Sequence, residues 1–302
     1  MIKVVFFGTH QFASVILQSM IDNPKINVSL VITQPDKPVG RKQDLKKSFV
    51  KILSENNNIK VEQPENLKNY NLVDKFDLGI TAQYGLLIPE HILNTPTHGT
   101  LNVHTSLLPK YRGASPIQSV LINGETETGV TIMKMDKGLD TGPILLQKRL
   151  KIKPHDTYTT LSENLAKISS QALSEAIDGY VEGKLKPQIQ NNSLATECHE
   201  LSREDGQIDW NKTSKEIYNL YRGLTPWPGI WTMWQEKRLK LLEIKESDKI
   251  IDAGKVIIEE KHIYIGCSEK SIELLKLQLE GKKPMNVIEF LNGYKSIANE
   301  IL

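Results

Sequence analysis

Cysteine is almost absent from this chain, with only Cys198 and Cys267 among 302 residues. Two thiols so far apart cannot frame a disulfide scaffold, and a reducing, cytoplasmic setting is expected instead. Long hydrophobic runs are missing as well. The opening run Ile2–Phe7 stops at Gly8, short of the ~7–15 apolar residues at the heart of a secretory signal. No stretch approaches the ~18 consecutive apolar residues of a membrane-spanning helix, so a soluble chain without a membrane partner is expected. An excess of one charge is lacking too. Thirty-eight Lys and Arg face 36 Asp and Glu, a formal +2, so any nucleic-acid partner has to be met by a local patch. The seven histidines contain no H-E-x-x-H pair, and Cys198-His199 has no companion pair. No metal site is expected. The turn F-F-G-T-H-Q-F-A carries Gly8 alone, which excludes a conventional dinucleotide-binding first turn.

What is present is an ordinary globular composition, 39% hydrophobic and 25% charged. At ~100–200 residues per domain, the length predicts two domains. Short apolar runs, Ile2–Phe7, Ile26–Ile32, Phe76–Thr81, Thr100–Val103 and Gly129–Met135, alternate with helical patterns through the first part of the chain. Such runs read as strands buried on both faces, which predicts an open, Rossmann-like, mostly parallel α/β sheet. A long helix is expected over Thr160–Glu182, with Thr160 and Glu163 as a capping box. The stretch 183–192, G-K-L-K-P-Q-I-Q-N-N, is polar and aperiodic and reads as a linker. Beyond Ile208 the pattern is β-rich, with strands expected over Arg238–Ile244, Gly254–Ile258, His262–Gly266 and Ser271–Leu279 and a terminal helix over Pro284–Gly293. These predict a small β-barrel resembling an OB-fold. The expected division is 1–188 for the catalytic domain, 189–207 for a linker and 208–302 for the C-terminal domain.

The densest polar cluster is T-L-N-V-H-T-S-L-L-P-K-Y-R-G, Thr100–Gly113. On a strand, Asn102 and His104 are two apart and project to one side, at the carboxyl end where open α/β sheets bind ligands. The second polar element is K-G-L-D-T-G-P, in which two glycines flank Asp140. Singly, His104 also reads as a hydrogen-bonded strand-end residue and Asp140 as a turn residue.

Jointly, N-V-H-T-S-L-L-P-K-Y-R-G-A-S-P-I-Q and, some thirty residues on, M-D-K-G-L-D-T-G-P-I-L closely resemble the signature of the folate-dependent formyltransferases. The resemblance implies a catalytic triad of Asn102, His104 and Asp140. It further implies 10-formyltetrahydrofolate as the formyl donor and an amine as the acceptor. The Asn102 amide and a protonated His104 would donate to the oxyanion, and Asp140 would hold His104 cationic and help move the proton. The family's pterin pocket maps onto Gln83, Tyr84, Gly85, Leu86, Leu87, Ile88 and Pro89. The segment Ser106, Leu107, Leu108 and Pro109 borders the folate. Leu86, Leu87 and Ile88 also read as ordinary core.

The acceptor is indicated by three further resemblances. T-Q-P-D-K-P-V-G-R-K-Q-D-L-K-K, G-A-S-P-I-Q and the junction L-S-R-E-D-G-Q-I-D-W with T-P-W-P-G are similar to the branch that formylates initiator Met-tRNA. Between Asp36 and Lys51 there are six basic and two acidic residues, net +4, and Lys37, Arg41, Lys42, Lys46 and Lys47 are the implied tRNA contacts. Two departures stand out. Lys46–Phe49 replaces a stretch where the family more often has prolines, and Glu200–Arg203 is less basic than usual. From Trp231 to Leu302 there are 12 basic and 12 acidic residues, so a tRNA-facing stripe there must come from arrangement alone. The alternative acceptor is a nucleotide-linked amino sugar. A third reading, an RNA-binding protein with a decayed catalytic half, conflicts with the intact triad. No exposed apolar stripe is legible, so a monomer is expected.

Overall fold

Ile2–Gly8 forms strand β1, and Val4 through Phe7 are fully buried. A strand covered on both faces needs an apolar residue at every position, which explains its continuous run. The computed structural model describes residues 1–39 and 44–302. Arg41 and Lys42 therefore lie outside the described residues. After β1 come α1 (Gln11–Ile21), β2 (Ile26–Ile32), the short strands β3 (Lys37–Val39) and β4 (Asp44–Lys46), α2 (Phe49–Asn56) and β5 (Lys60–Glu62). Then follow β6 (Leu78–Ala82), α3 (Glu90–Leu93), β7 (Thr100–His104), β8 (Arg112–Gly113), α4 (Pro116–Ile122), β9 (Glu127–Lys134), β10 (Ile144–Lys151) and α5 (Tyr158–Val181).

The main sheet has the order β10-β9-β7-β6-β1-β2-β5. Pairings from β7 to β5 are parallel, while β9 runs antiparallel to both β7 and β10. The sheet is mostly parallel, as expected, with an antiparallel edge. Only residues 135–143 connect β9 to β10, too short for the crossover of a dozen or more residues that a parallel return needs. One face of the parallel part packs Val5, Phe7, Leu30 and Ile32 against Leu67, Phe76, Tyr84 and Ile92.

Helix α5 begins at Tyr158, so Thr160 lies inside it rather than at its cap. The expected Thr160–Glu163 box gives way to a reciprocal pair one turn earlier: Thr157 N donates to Thr160 Oγ1 at 3.0 Å and Thr160 N to Thr157 Oγ1 at 3.5 Å, while Asp156 Oδ1 accepts from Thr160 Oγ1 at 3.0 Å. The polar stretch 183–192 is tied to β10 by reciprocal backbone bonds between Gln188 and Ile144.

The chain divides into two compact units: Met1–Gly113, Glu127–Lys151 and Ser162–Glu197 form one, and Ala114–Thr126, Ile152–Leu161 and Cys198–Leu302 the other. After β11 (Glu197–Cys198), the second unit contains α6 (Ser214–Leu224), β12 (Ile230–Trp234), β13 (Lys237–Ser247), β14 (Val256–Glu259), β15 (His262–Gly266), β16 (Ser271–Leu279), β17 (Met285–Asn286) and α7 (Val287–Gly293). Its antiparallel sheet runs β12-β13-β16-β15-β14, and β17 adds to β16. Along one edge β16 pairs first with β15 and then with β17, while the other edge holds β13. Inward residues such as Leu239, Leu241, Ile263, Ile272 and Leu277 meet Trp234 and Phe290 in one core. Helix α6 is not expected from the sequence in this β-rich region. Its N-terminus is a complete capping box of Thr213 and Glu216, and α7 is capped likewise by Asn286 and Glu289.

The segment leading into this unit is organised by Asp205. Its carboxylate accepts from Ser202 N and Oγ, each at 2.7 Å, and from His199 Nε2 at 2.9 Å. These bonds, His199's foremost, pull the carboxyl down to about 2. A folded-state value below the unfolded ~3.9 means that the unfolded chain binds more protons as acid is added. The contribution is complete above about pH 4 and is lost as pH falls toward 2. Asp205→Asn should lose on the order of 1–2 kcal/mol at pH 6, with the gap to wild type closing near pH 2. Urea unfolding across that pH range measures it.

Candidate active site

Strand β7 sets two polar side chains two residues apart, and one carboxylate gathers them. Asn102 Nδ2 donates to Asp140 Oδ1 at 3.1 Å, and His104 Nδ1 lies 3.5 Å from Asp140 Oδ2. Gly113 N donates to the same Oδ2 at 2.9 Å. The three residues singled out in the sequence are therefore one cluster. His104 is 6% and Asp140 10% exposed at the side chain. The far ring nitrogen of His104, Nε2, is 2.8 Å from the Tyr111 carbonyl. A carbonyl only accepts, so Nε2 carries hydrogen. A second proton at Nδ1 then turns the contact with Asp140 into an ion pair. Both ring nitrogens are thus engaged, which differs from the expectation that His104 donates to an oxyanion. Among the described residues Asn102 Nδ2 is committed to Asp140 by one hydrogen, leaving its second N–H available.

Asp140 sits in the β9–β10 connection with φ of +52°, a left-handed conformation. Two neighbours hold it there. At Gly142 an added Cβ would stand 1.9 Å from the Lys134 carbonyl, so only glycine allows this hairpin to close so tightly. The buried amide of Gln190 donates to the Asp140 carbonyl at 2.8 Å and to the Gly142 carbonyl at 2.7 Å. Its oxygen accepts from Arg112 Nε at 3.1 Å and from a terminal Arg112 nitrogen at 2.7 Å, which also bonds Asn192 Oδ1 at 2.8 Å. Tyr111 N, next to the carbonyl that fixes His104, donates to Thr196 Oγ1 at 2.8 Å. Arg112, Gln190 and Thr196 support this cluster, and the sequence alone does not single out that role. Arg112 lies within the quoted motif, whereas Gln190 and Thr196 carry no periodic or motif signal.

The other expected site residues leave the carboxyl edge of the same sheet. Thr81 of β6 pairs with Asn102, and Ala82 pairs with Gly8 of β1, so the loops after β1, β6 and β7 emerge together. In the β6 loop, Gln83 and Gly85 take positive φ, 42° and 79°. Tyr84 and Ile88 are buried in the core of this unit, while Leu86 and Leu87 are exposed. Tyr84 and Ile88 therefore have only backbone to offer a ligand. Burial pushes the Tyr84 phenol up to about 12. Pro89 is half-buried and begins α3 as its cap. After β7, Ser106 Oγ donates to the Lys110 carbonyl at 2.6 Å, and Leu108 N donates to Thr131 Oγ1 at 3.1 Å. The Leu108 carbonyl accepts from Gln147 at 2.8 Å. Leu108 is buried, whereas Leu107 and Pro109 are half-buried.

The basic segment forms the hairpin β3–β4, where Lys37 stands directly across from Lys46. Like charges opposite each other destabilise a strand pair, so an anion laid across it is favoured. Lys46 Nζ lies 5.7 Å over the Phe49 ring. Lys47 is paired with Glu55 at 2.8 Å, which reduces its charge for any other partner. Among the described residues no group of three His, Cys, Asp or Glu is arranged to hold a metal ion, and no helix is long and apolar enough to cross a membrane.

Comparison with known proteins gives two family matches, Formyl transferase over residues 2–177 and Formyl transferase, C-terminal domain, over residues 200–295. The chain is 41% identical over 310 aligned residues to a methionyl-tRNA formyltransferase of Caldicellulosiruptor saccharolyticus, covering 99% of both chains. It is 42% identical to one of Dictyoglomus thermophilum, covering 97% of both. Among solved structures, an N-formyltransferase from Helicobacter canadensis in complex with folinic acid and dTDP-3-aminofucose has a TM-score of 0.68 at 23% identity, over 91% of this chain and 99% of that one. A methionyl-tRNA formyltransferase from Clostridium thermocellum has a TM-score of 0.58 at 20% identity, over 84% and 97%. At these identities the structural likeness speaks for the fold alone.

Replacing Gln190 with Leu strands two carbonyls and removes an acceptor from buried Arg112. The variant should lose about 1–3 kcal/mol of stability, read from urea unfolding, and its turnover should fall with the Asp140 loop no longer held.

Proposed function

The chain belongs to the formyl transferase family, and from that premise we propose how its residues transfer a formyl group from 10-formyltetrahydrofolate to the α-amine of methionine on initiator Met-tRNA. The product is N-formylmethionyl-tRNA for translation initiation. The observation that carries the reading is the single Asp140 carboxylate joining Asn102 and His104. The folate supplies an activated formyl group when bound. The residues fit such a ligand: the loop Gln83–Pro89 offers exposed backbone at Gly85 and exposed apolar side chains at Leu86 and Leu87 beside that cluster's sheet edge.

Asn102 is oriented by Asp140 through one amide hydrogen, so its second donates to the formyl oxygen as negative charge develops there. His104 and Asp140 form the proton-holding pair. Nδ1 and Oδ2 share the proton released by the attacking amine, and Tyr111 O keeps the ring from turning. As the bond between the formyl carbon and the folate nitrogen breaks, that nitrogen takes up a proton from this pair. Gly113 N stabilises the carboxylate form of Asp140 between these events. Residues 1–188 supply the reacting groups in our reading, residues 189–207 link while lending Gln190 and Thr196 to the Asp140 and Tyr111 segments, and residues 208–302 assist in holding tRNA. The hairpin lysines Lys37 and Lys46, with Arg41 and Lys42 between them in sequence, meet tRNA phosphates. We assign the activity to the cytoplasm and to a monomer. The buried thiols of Cys198 and Cys267 fit a reducing compartment.

The test is formyl transfer to initiator Met-tRNA, with free methionine and nucleotide-linked amino sugars as competing acceptors. Product from the charged tRNA alone is expected, and transfer to the sugar instead would overturn the reading. Asn102→Ala should lower kcat by about 10²–10³, the usual cost of one oxyanion donor. The double change of Lys37 and Lys46 to Gln should leave the folate KM unchanged and raise that for tRNA. It should also make the salt dependence shallower by nearly two counterions, measured from kcat/KM between low and physiological salt.

A further inference from the structure

Gln34 lies between the loop assigned to folate and the hairpin assigned to tRNA, and it is 7% exposed. Its side-chain nitrogen donates to the Tyr84 carbonyl, inside the folate loop, at 2.7 Å. Thr9 Oγ1 donates to the same carbonyl at 2.9 Å and accepts from Gln34 N at 3.4 Å. The approach is close: Gly85 has φ of +79°, and a Cβ there would stand 2.5 Å from Gln34 Nε2, so only glycine lets the loop pass this near to Gln34. Movement away leaves a buried amide donor without its acceptor.

The backbone carbonyl of Gln34 is bonded toward the hairpin instead. It accepts from Gln63 Nε2 at 2.8 Å, and the same Gln63 nitrogen donates to Asp36 Oδ1 at 2.8 Å. Lys51 Nζ closes the knot, 2.6 Å from Asp36 Oδ2 and 2.7 Å from Gln63 Oε1. These bonds, with Lys51 first, hold the Asp36 carboxyl below its usual range. Asp36 directly precedes β3. On the far side of the hairpin, Ser48 caps α2 and its Oγ lies 2.9 Å from Thr33 Oγ1. Both roots of the hairpin are therefore fastened to residues 33–36, and residue 34 is fastened to the folate loop.

We propose that Gln34 is a positioning residue through which the hairpin and the folate loop constrain each other, so that folate and tRNA bind with linked affinities. The proposal rests on the assignment of those two loops given above. Linkage of this kind is reciprocal: whatever factor tRNA applies to folate affinity, folate applies to tRNA affinity. Gln34 touches neither substrate in this scheme. It transmits because a short, fully bonded path leaves each loop one position compatible with the other.

The test is calorimetric titration of the full-length protein with 5-formyltetrahydrofolate, with and without saturating uncharged initiator tRNA, and the converse titration. In the wild type the folate dissociation constant should change about fivefold or more on adding tRNA, with the same factor in the converse direction. Gln34→Ala should bring that ratio toward one while kcat at saturating substrates stays within a few fold and both KM values rise. Gln63→Ala, which cuts the path without touching the folate loop, should do the same, and serves if Gln34→Ala unfolds. A wild-type ratio of one, or a ratio unchanged in the variants, overturns the linkage with the loop assignments intact. Failure of the wild type to bind either ligand overturns those assignments and the linkage with them.

Discussion

Everything at the candidate site is arranged around one anion. The Asp140 carboxylate receives an amide hydrogen from Asn102, a backbone N–H from Gly113 and the Nδ1 edge of His104. These groups come from a strand, from the segment after it and from a hairpin connection nearly forty residues further on. No single one is held by its own local geometry. Asn102 has a freely turning amide, His104 a ring with two faces, and Asp140 a backbone in the left-handed region. An uncommon φ of this kind persists only when its surroundings over-determine it. Here Gly142 and Gln190 do so, and Gln190 is in turn satisfied by Arg112. The carboxylate is thus the meeting point of a buried polar network in which each member fixes the next.

Charge is managed differently on the second unit and at the β3–β4 hairpin. On the second unit several lysines are locally paired: Lys245 with Glu273, Lys249 with Glu259, Lys270 with Asp248 and Lys215 with Glu246. From Trp231 onward, 12 basic and 12 acidic residues leave no net charge. The hairpin of the first unit does the opposite by setting Lys37 against Lys46. Two positive charges are thus set side by side on adjoining strands.

The parts of this architecture legible in the sequence are those with local causes. Continuous apolar runs locate β1, β2, β7 and the doubly covered sheet, because burial on both faces leaves an unbroken signature. The N-x-H spacing puts Asn102 and His104 on one side of a strand, and both do reach the same carboxylate. Helix α6 escapes the sequence reading although Thr213 and Glu216 announce its cap, since the strand-like texture around it dominates the pattern. Other features have no local cause at all. Gln190 looks like any glutamine in a polar stretch, and its burial follows only from where the chain folds. The same holds for Gln34. The side chains of Tyr84 and Ile88, in the loop expected to border the folate, fill the core, which no local pattern distinguishes from exposed Leu86 and Leu87 beside them.

The bond between Gln190 and the Asp140 carbonyl also bears on where the catalytic portion of this chain ends. Composition draws a boundary near residue 188, and the N-terminal family match stops at residue 177. A fragment cut at either point keeps Asn102, His104 and Asp140, so it passes any inventory of catalytic side chains. It lacks the amide that holds the Asp140 loop and the acceptor of Arg112. For anyone designing a minimal fragment or swapping its second domain, the hydrogen-bonded network around Asp140 and Tyr111 ends only at Thr196, inside what reads as a tether. The apparent linker is the last piece of the candidate site to be synthesised.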